Sequence, residues 1–277
     1  MNNIHTLVIP DVHGRTFWKE AVNMLPRDIY PDIKIVFLGD YLDPYVLPDE
    51  HISRREAIEN FKEIIEYAKS DDRVVLLIGN HDMHYFYDAP YKSRCDFANY
   101  NEIKGIFEEN FDMFKLAYEE TINGNKYFYT HAGVNSYWLT TVHDAAKFAL
   151  KHYTDKNNKE RAEFCKMLST LDMNAEKFNM LLHDPQGHAL LWLCSYERGG
   201  DSWCGSCIWM DIAEWAYEEY IIDGVWQIFG HSLAYPTIDT AYVDENKQIA
   251  MLDSRNAWVI EDDGHIVNVN EIAVNKC

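Results

Sequence analysis

Residues 34–82 read KIVFLGDYLDPYVLPDEHISRREAIENFKEIIEYAKSDDRVVLLIGNHD, and this stretch decides the fold. It opens on Lys34–Leu38, an apolar run that stops at Gly39, and it ends on Val74–Ile78, a second run that stops at Gly79. Short apolar runs bounded by turn residues suit strands covered on both faces. Between them the spacing predicts a helix. Ser53 can cap its N-terminus, Glu56 closes a capping box, and Ile58, Phe61, Ile64, Ile65 and Ala68 fall on one face. Strand, helix, strand is the grammar of a layered α/β domain.

Working outward, three further runs share this form: Thr6–Pro10 before Asp11, Lys126–Thr130 before His131, and Val225–Phe229 before Gly230. From about Asn135 to Leu182 the pattern turns helical, with polar interruptions such as Asp155–Lys159. After His231 strands return at Thr237–Val243, Gln248–Leu252, Trp258–Ile260 and His265–Val269, joined in part by Asp-Glu-Asn and Asp-Asp-Gly turns. No Gly/Ser-rich linker interrupts the chain and no internal repeat is visible. The expectation is one domain over residues 1–277, with a helical elaboration at about 135–190.

Of 277 residues, 47% are apolar and 14% aromatic, and Gly and Pro are few, which excludes a disordered or low-complexity chain. Lys and Arg total 25 against 45 Asp and Glu, for a formal charge of −20. Such a chain repels long nucleic acids and anionic membranes. The first residues lack a basic n-region, and no apolar run approaches a membrane span, so the expected location is the cytoplasm. Cys95, Cys165, Cys194, Cys204, Cys207 and Cys277 are then reduced thiols by default. Cys204 and Cys207 form a lone CxxC without the second pair a zinc site needs, and read as two ordinary thiols.

The residues that follow the five strands are nearly all metal-ligand types. Asp11 and His13 follow the first, Asp40 and Asp43 the second, Asn80, His81 and Asp82 the third, His131 the fourth and His231 the fifth. In open α/β sheets, sites form beyond the carboxyl ends of strands. One Asp or His after a strand is usually a cap or turn residue, but five such turns in order point to a dinuclear site. A metal pair needs a bridging carboxylate, for which Asp40 is the natural candidate. Mixed imidazole and carboxylate ligands suit Mn, Fe, Zn or Co.

The motifs DVHG, GDYLD, GNHD, THAG and GHS, in this order, resemble the signature of the calcineurin-like metallophosphoesterases from about residue 6 to 233. The resemblance implies a four-layer α/β/β/α sandwich holding two divalent metal ions. By motif position it places Asp11, His13 and Asp40 on the first ion, and Asp40, Asn80, His131 and His231 on the second. His81 would protonate the leaving group, with Asp43 orienting its ring and raising its pKa. The implied reaction is in-line attack of metal-bound hydroxide on phosphorus. GDYLD with GHS is most similar to the serine/threonine protein phosphatase and diadenosine tetraphosphatase branch. Leu233 stands where many phosphodiesterases carry a second His.

Leu190–Trp192 followed by Arg198 is similar to a phosphatase segment in which an arginine grips the substrate phosphate, a task to which Asn80 is also placed to contribute. The plain alternative for Arg198 is a surface pair with Glu197. The phosphatase branch carries an arginine directly after its second aspartate, whereas this chain has Pro44; Arg54, Arg55, Lys92 and Arg94 are candidates to replace it. His84 is either a pocket residue or a solvated loop histidine. His183 and His188, around Asp184-Pro185, read as ordinary histidines. Tyr and Trp at 192–220 read as core.

The expected function is a dinuclear phosphatase acting on a phosphomonoester, either a phosphopeptide or a small molecule. The rivals are a dinucleoside polyphosphate hydrolase or phosphodiesterase on the same metals, and a catalytically weak scaffold. A scaffold predicts missing ligands, and a nuclease predicts the second His and a basic approach. Neither feature is seen.

Overall fold

The computed structural model describes residues 4–86, 89–152, 159–184, 187–233 and 240–274. Its strands are β1 (Ile4–Ile9), β2 (Lys34–Phe37), β3 (Val46–Leu47), β4 (Glu50–His51), β5 (Val74–Leu77), β6 (Phe114–Lys115), β7 (Tyr118–Ile122), β8 (Asn125–Tyr129), β9 (Trp226–Phe229), β10 (Tyr242–Asp244), β11 (Ile249–Met251), β12 (Trp258–Glu261) and β13 (Ile266–Asn268). The helices are α1 (Phe17–Met24), α2 (Arg54–Ser70), α3 (Asn80–Phe86), α4 (Tyr100–Glu109), α5 (Ser136–His152), α6 (Lys159–Leu168), α7 (Ala175–His183), α8 (His188–Leu191) and α9 (Val269–Val274).

Two sheets form the centre. One has the order β13-β12-β1-β2-β5-β6, with β1, β2, β5 and β6 parallel and β12 antiparallel to β1. The other has the order β10-β11-β9-β8-β7, with β8, β9 and β11 parallel. Strand side chains alternate between faces, and both faces of the first sheet are covered. Val8, Val36, Val75 and Leu77 pack towards Tyr127, Tyr129, Ile228 and Ala250 of the second sheet. Leu7, Ile35, Phe37 and Leu76 pack with Trp18, Phe61 and Ile64 of α1 and α2. The outer face of the second sheet meets Trp138 and Phe178 through Phe128, and Trp215 and Met210 through Phe229 and Met251. The result is helix, sheet, sheet, helix: the four-layer α/β/β/α sandwich.

Helix α2 starts where the sequence places it, with the Ser53–Glu56 capping box formed. The strand β7 was not legible in the sequence. Its charged centre hides the alternation because Glu120 points to Thr6, whose hydroxyl donates to it at 2.6 Å, and to the hydroxyls of Tyr118 and Tyr129. The expected strand Thr237–Val243 is described only from residue 240, where β10 begins at Tyr242; residues 237–239, residue 185, part of the 155–159 interruption and Cys277 lie outside the described residues. No described helix is long and apolar enough to cross a membrane.

Candidate active site

The turns after β1, β2, β5, β8 and β9 converge at one edge of the two sheets. Backbone geometry there is unusual: His13, Asp40, Asp43 and His231 all have positive φ, between 45° and 67°. Such conformations disfavour side chains with a Cβ and gather at functional sites. Two glycines let the turns close. A Cβ at Gly79 would lie 2.1 Å from Asp40 Oδ1, and one at Gly230 would lie 2.0 Å from Asp11 Oδ1.

Asp82, fully buried, ties two of these turns together. Its carboxylate accepts from the backbone N–H groups of Asp40 at 2.7 Å, Tyr41 at 3.0 Å and Gly79 at 2.8 Å. Asp82→Ala strands all three donors in the interior. The expected loss is about 3 kcal/mol or more, since each unsatisfied buried group costs roughly 1–3 kcal/mol. In thermal denaturation this is a fall in Tm of roughly 6–12 °C for a chain of this size. Asp82→Asn keeps one acceptor and should lose less; equal losses would contradict this role.

The six residues proposed as metal ligands come together. Asp40 Oδ2 lies 3.5 Å from His13 Nε2 and 3.5 Å from His131 Nε2, and His13 Nε2 lies 4.0 Å from Asp11 Oδ2. His131 Nε2 is 3.0 Å from Asn80 Oδ1 and 3.1 Å from His231 Nδ1. His13 and His131 each hold a backbone carbonyl with Nδ1 at 2.9 Å, that of Leu42 and Leu38 respectively. A carbonyl can only accept, so Nδ1 carries the proton, and in the neutral ring Nε2 turns a lone pair inward. At His131 this lone pair meets an amide oxygen, a carboxylate oxygen and a second imidazole nitrogen. Buried His231 Nε2 has no hydrogen-bond partner among the described residues. Carboxylate, amide and imidazole atoms that converge in this way, with a buried ring nitrogen left unpartnered, fit a cation.

Electrostatics agree with that fit. Burial, reinforced by Asp11, pushes the Asp40 carboxyl well above its ordinary range, and burial holds His13 and His231 well below theirs. Asp40 therefore resists carrying its charge alone, a penalty that a bound cation relieves. Among the described residues, Asp11/His13/Asp40 and Asp40/His131/His231 each bring ligand atoms within 4.8 Å of one another, and so do Asp43/His81/His84. The third group is different, because donors already occupy Asp43. His81 Nδ1 lies 2.9 Å from Asp43 Oδ2 and the Tyr85 hydroxyl donates to Oδ1. His84 Nε2 lies 2.9 Å from Oδ2 without hydrogen-bond geometry. Burial pushes the Asp43 carboxyl up, but the His81 and His84 contacts outweigh it and bring it below its usual value.

Several expectations are corrected. His84 is no solvated loop residue: it is buried in α3 against Asp43. Asp43 acts upward on His81, yet burial, aided by the Arg94 charge, wins and lowers that imidazole to about 4. Arg198 pairs with Asp211 and not with Glu197, and its Nη2 donates to the His231 carbonyl at 3.2 Å and to Ser232. Of the basic candidates near Pro44, Arg55 is bound to Glu102 at 2.8 Å, Arg54 donates to the Arg94 carbonyl at 3.1 Å, and Lys92 lies over the Tyr100 ring. Arg94 reaches the site.

His183 packs edge-on against Phe111, and His188 holds the Leu182 carbonyl. Trp209 and Trp215 are buried as expected, while Trp203, Tyr196 and Tyr217 are exposed. Cys204 and Cys207 are buried free thiols, and burial pushes Cys204 up to about 12 and Cys207 further.

A cavity of about 260 Å³ opens onto this edge, lined by Asp40, Asn80, His81, His231, Arg94 and Arg198 and flanked by Tyr45 and Trp209. A larger cleft of about 670 Å³ lies past Arg15, but its charges largely neutralise one another, as Arg15 does with Glu50 at 3.0 Å. The chemistry belongs to the smaller one.

The chain belongs to the calcineurin-like phosphoesterase family, whose model matches residues 4–235. It is accordingly a metal-dependent phosphoric ester hydrolase. No curated protein sequence matches it. Among solved structures it is similar to a protein serine/threonine phosphatase from Saccharomyces cerevisiae, at 15% identity over 97% of this chain and 80% of that one, with a TM-score of 0.46. It is also similar to a hypothetical protein from Pyrococcus horikoshii OT3, at 10% identity over 98% and 93% of the two chains, with a TM-score of 0.42.

Proposed function

We propose that the chain is a dinuclear phosphatase that hydrolyses phosphomonoesters, small-molecule or phosphopeptide. The observation that carries this reading is Asp40 Oδ2, 3.5 Å from both His13 Nε2 and His131 Nε2, which would let one carboxylate serve two ions. Asp11, His13 and Asp40 would hold one ion, and Asp40, Asn80, His131 and His231 the other, with Mn, Fe, Zn or Co suited to these donors. Held by these residues, the ions would supply Lewis-acid polarisation of the phosphoryl group and a water of lowered pKa.

The remaining steps belong to side chains. Asp43 fixes the His81 ring through Nδ1, leaving Nε2 to face the leaving-group oxygen. Burial and the Arg94 charge oppose a positive charge on His81. A phosphate dianion beside the ring would offset both, so that His81 could take a proton from solvent and pass it to the leaving-group oxygen. Arg198, on the cavity wall, binds phosphate oxygens. The whole chain reads as one domain with a helical elaboration over about residues 135–190. Five buried free cysteines among the described residues suit the reducing cytoplasm.

A panel of phosphomonoesters, diesters, phosphopeptides and dinucleoside polyphosphates, assayed with each metal, tests the reading. Monoesters or phosphopeptides should have the highest kcat/KM. Diesters leading the panel would make the chain a phosphodiesterase, and dinucleotides leading it would make it a polyphosphate hydrolase. Inactivity throughout would favour the scaffold.

A further inference from the structure

We infer that Arg94 is a ligand for the substrate's terminal phosphoryl group and makes the site prefer a dianionic phosphate over a diester. This rests on the phosphatase reading above and deepens it. Arg15, Arg27, Arg55, Arg73, Arg198 and Arg255 each hold a carboxylate within 3.3 Å. Arg94 has no such partner among the described residues. Its guanidinium lies 3.5 Å from the centroid of the Tyr45 ring, whose edge meets the His13 ring at 4.7 Å between centroids. Its Nη2 is 3.0 Å from His81 Nε2, and its Nη1 is buried with no hydrogen-bond partner among the described residues. The backbone holds this placement with φ 56°, and Arg54 grips the Arg94 carbonyl.

A cation with an unsatisfied buried N–H is costly in a chain of charge −20 unless it awaits an anion. Asp40 and Asp43, the nearby carboxylates, are already engaged elsewhere in the site. Arg94 lines the same cavity as Asn80, His81 and Arg198. Its planar fork binds two phosphate oxygens at once. A monoester dianion presents three non-ester oxygens and two charges, and a diester presents two oxygens and one charge. A guanidinium free of any carboxylate, in a small cavity, therefore rewards the monoester, or a terminal phosphate of an anhydride. Turning to phosphate also takes Nη2 off His81 Nε2, freeing that nitrogen to face the leaving group.

The test compares metal-loaded wild type, Arg94→Gln and Arg94→Lys. Hydrolysis is measured on p-nitrophenyl phosphate and bis(p-nitrophenyl) phosphate, and inorganic phosphate binding by calorimetry. Arg94→Gln should lower kcat/KM for the monoester roughly 10- to 100-fold, chiefly through KM, and weaken phosphate binding similarly. The diester should change less than about 3-fold, because it loses only a single-charge contact. Arg94→Lys should recover part of the phosphate affinity, since it keeps the charge and loses the fork. Equal losses on both substrates, or unchanged phosphate affinity, would overturn the inference. Wild type that hydrolyses neither ester would fail the phosphatase reading instead, with the calorimetry still deciding for or against Arg94.

Discussion

His81→Ala is expected to lower kcat for alkyl phosphates by about 10²–10⁴-fold, the range of general acid catalysis, with metal content unchanged. An alkoxide leaves poorly without a proton, so its hydrolysis depends on the His81 Nε2 that Asp43 orients at 2.9 Å through Nδ1. p-Nitrophenolate is stable unprotonated, and its ester should lose far less. The dependence of log kcat on leaving-group pKa should therefore steepen in the variant. His81 is no member of the Asp40-centred clusters, so occupancy should hold. Parallel losses on good and poor leaving groups would remove His81 as the acid.

Asp40→Asn should be the most damaging single change. Its Oδ2 is the one carboxylate atom 3.5 Å from both inward-facing histidine nitrogens, so one substitution weakens both halves of the site. Asparagine preserves shape and leaves Oδ1 able to accept from the His81 N–H, a contact of 2.9 Å, so the fold should persist. What is lost is the negative charge that would offset two adjacent cations. Activity should fall by more than about 10³-fold, as expected when a metal-generated nucleophile and its Lewis acid are lost together.

Much of this site is legible in the sequence because its candidate ligands come in short motifs. Asp11 and His13 sit one residue apart, and Asn80 follows the strand that ends at Leu77, so strand ends and ligands are read in one glance. What stays hidden depends on depth and on partners far along the chain. The direction of the His81 shift is set by burial, which no motif encodes. His84 and Tyr85 join Asp43 only because α3 packs across the β2 turn, more than 40 residues away in sequence for both. Arg94 is one of four basic residues of equal standing in the sequence, and only its geometry over Tyr45 sets it apart. The strand β7 is concealed for the same reason: Glu120 looks solvent-facing until Thr6, Tyr118 and Tyr129 surround it.

The strand-end cluster is proposed to hold a metal pair that hydrolyses phosphate esters. The most direct measurement strips the protein with chelator and titrates Mn²⁺ back into wild type and Asp40→Asn, following bound metal and p-nitrophenyl phosphate hydrolysis together. Wild type should bind about two ions per chain and regain activity as the second binds, while Asp40→Asn should bind weakly and stay inactive. Full hydrolysis by the stripped wild type, or equal binding and activity in Asp40→Asn, would contradict it.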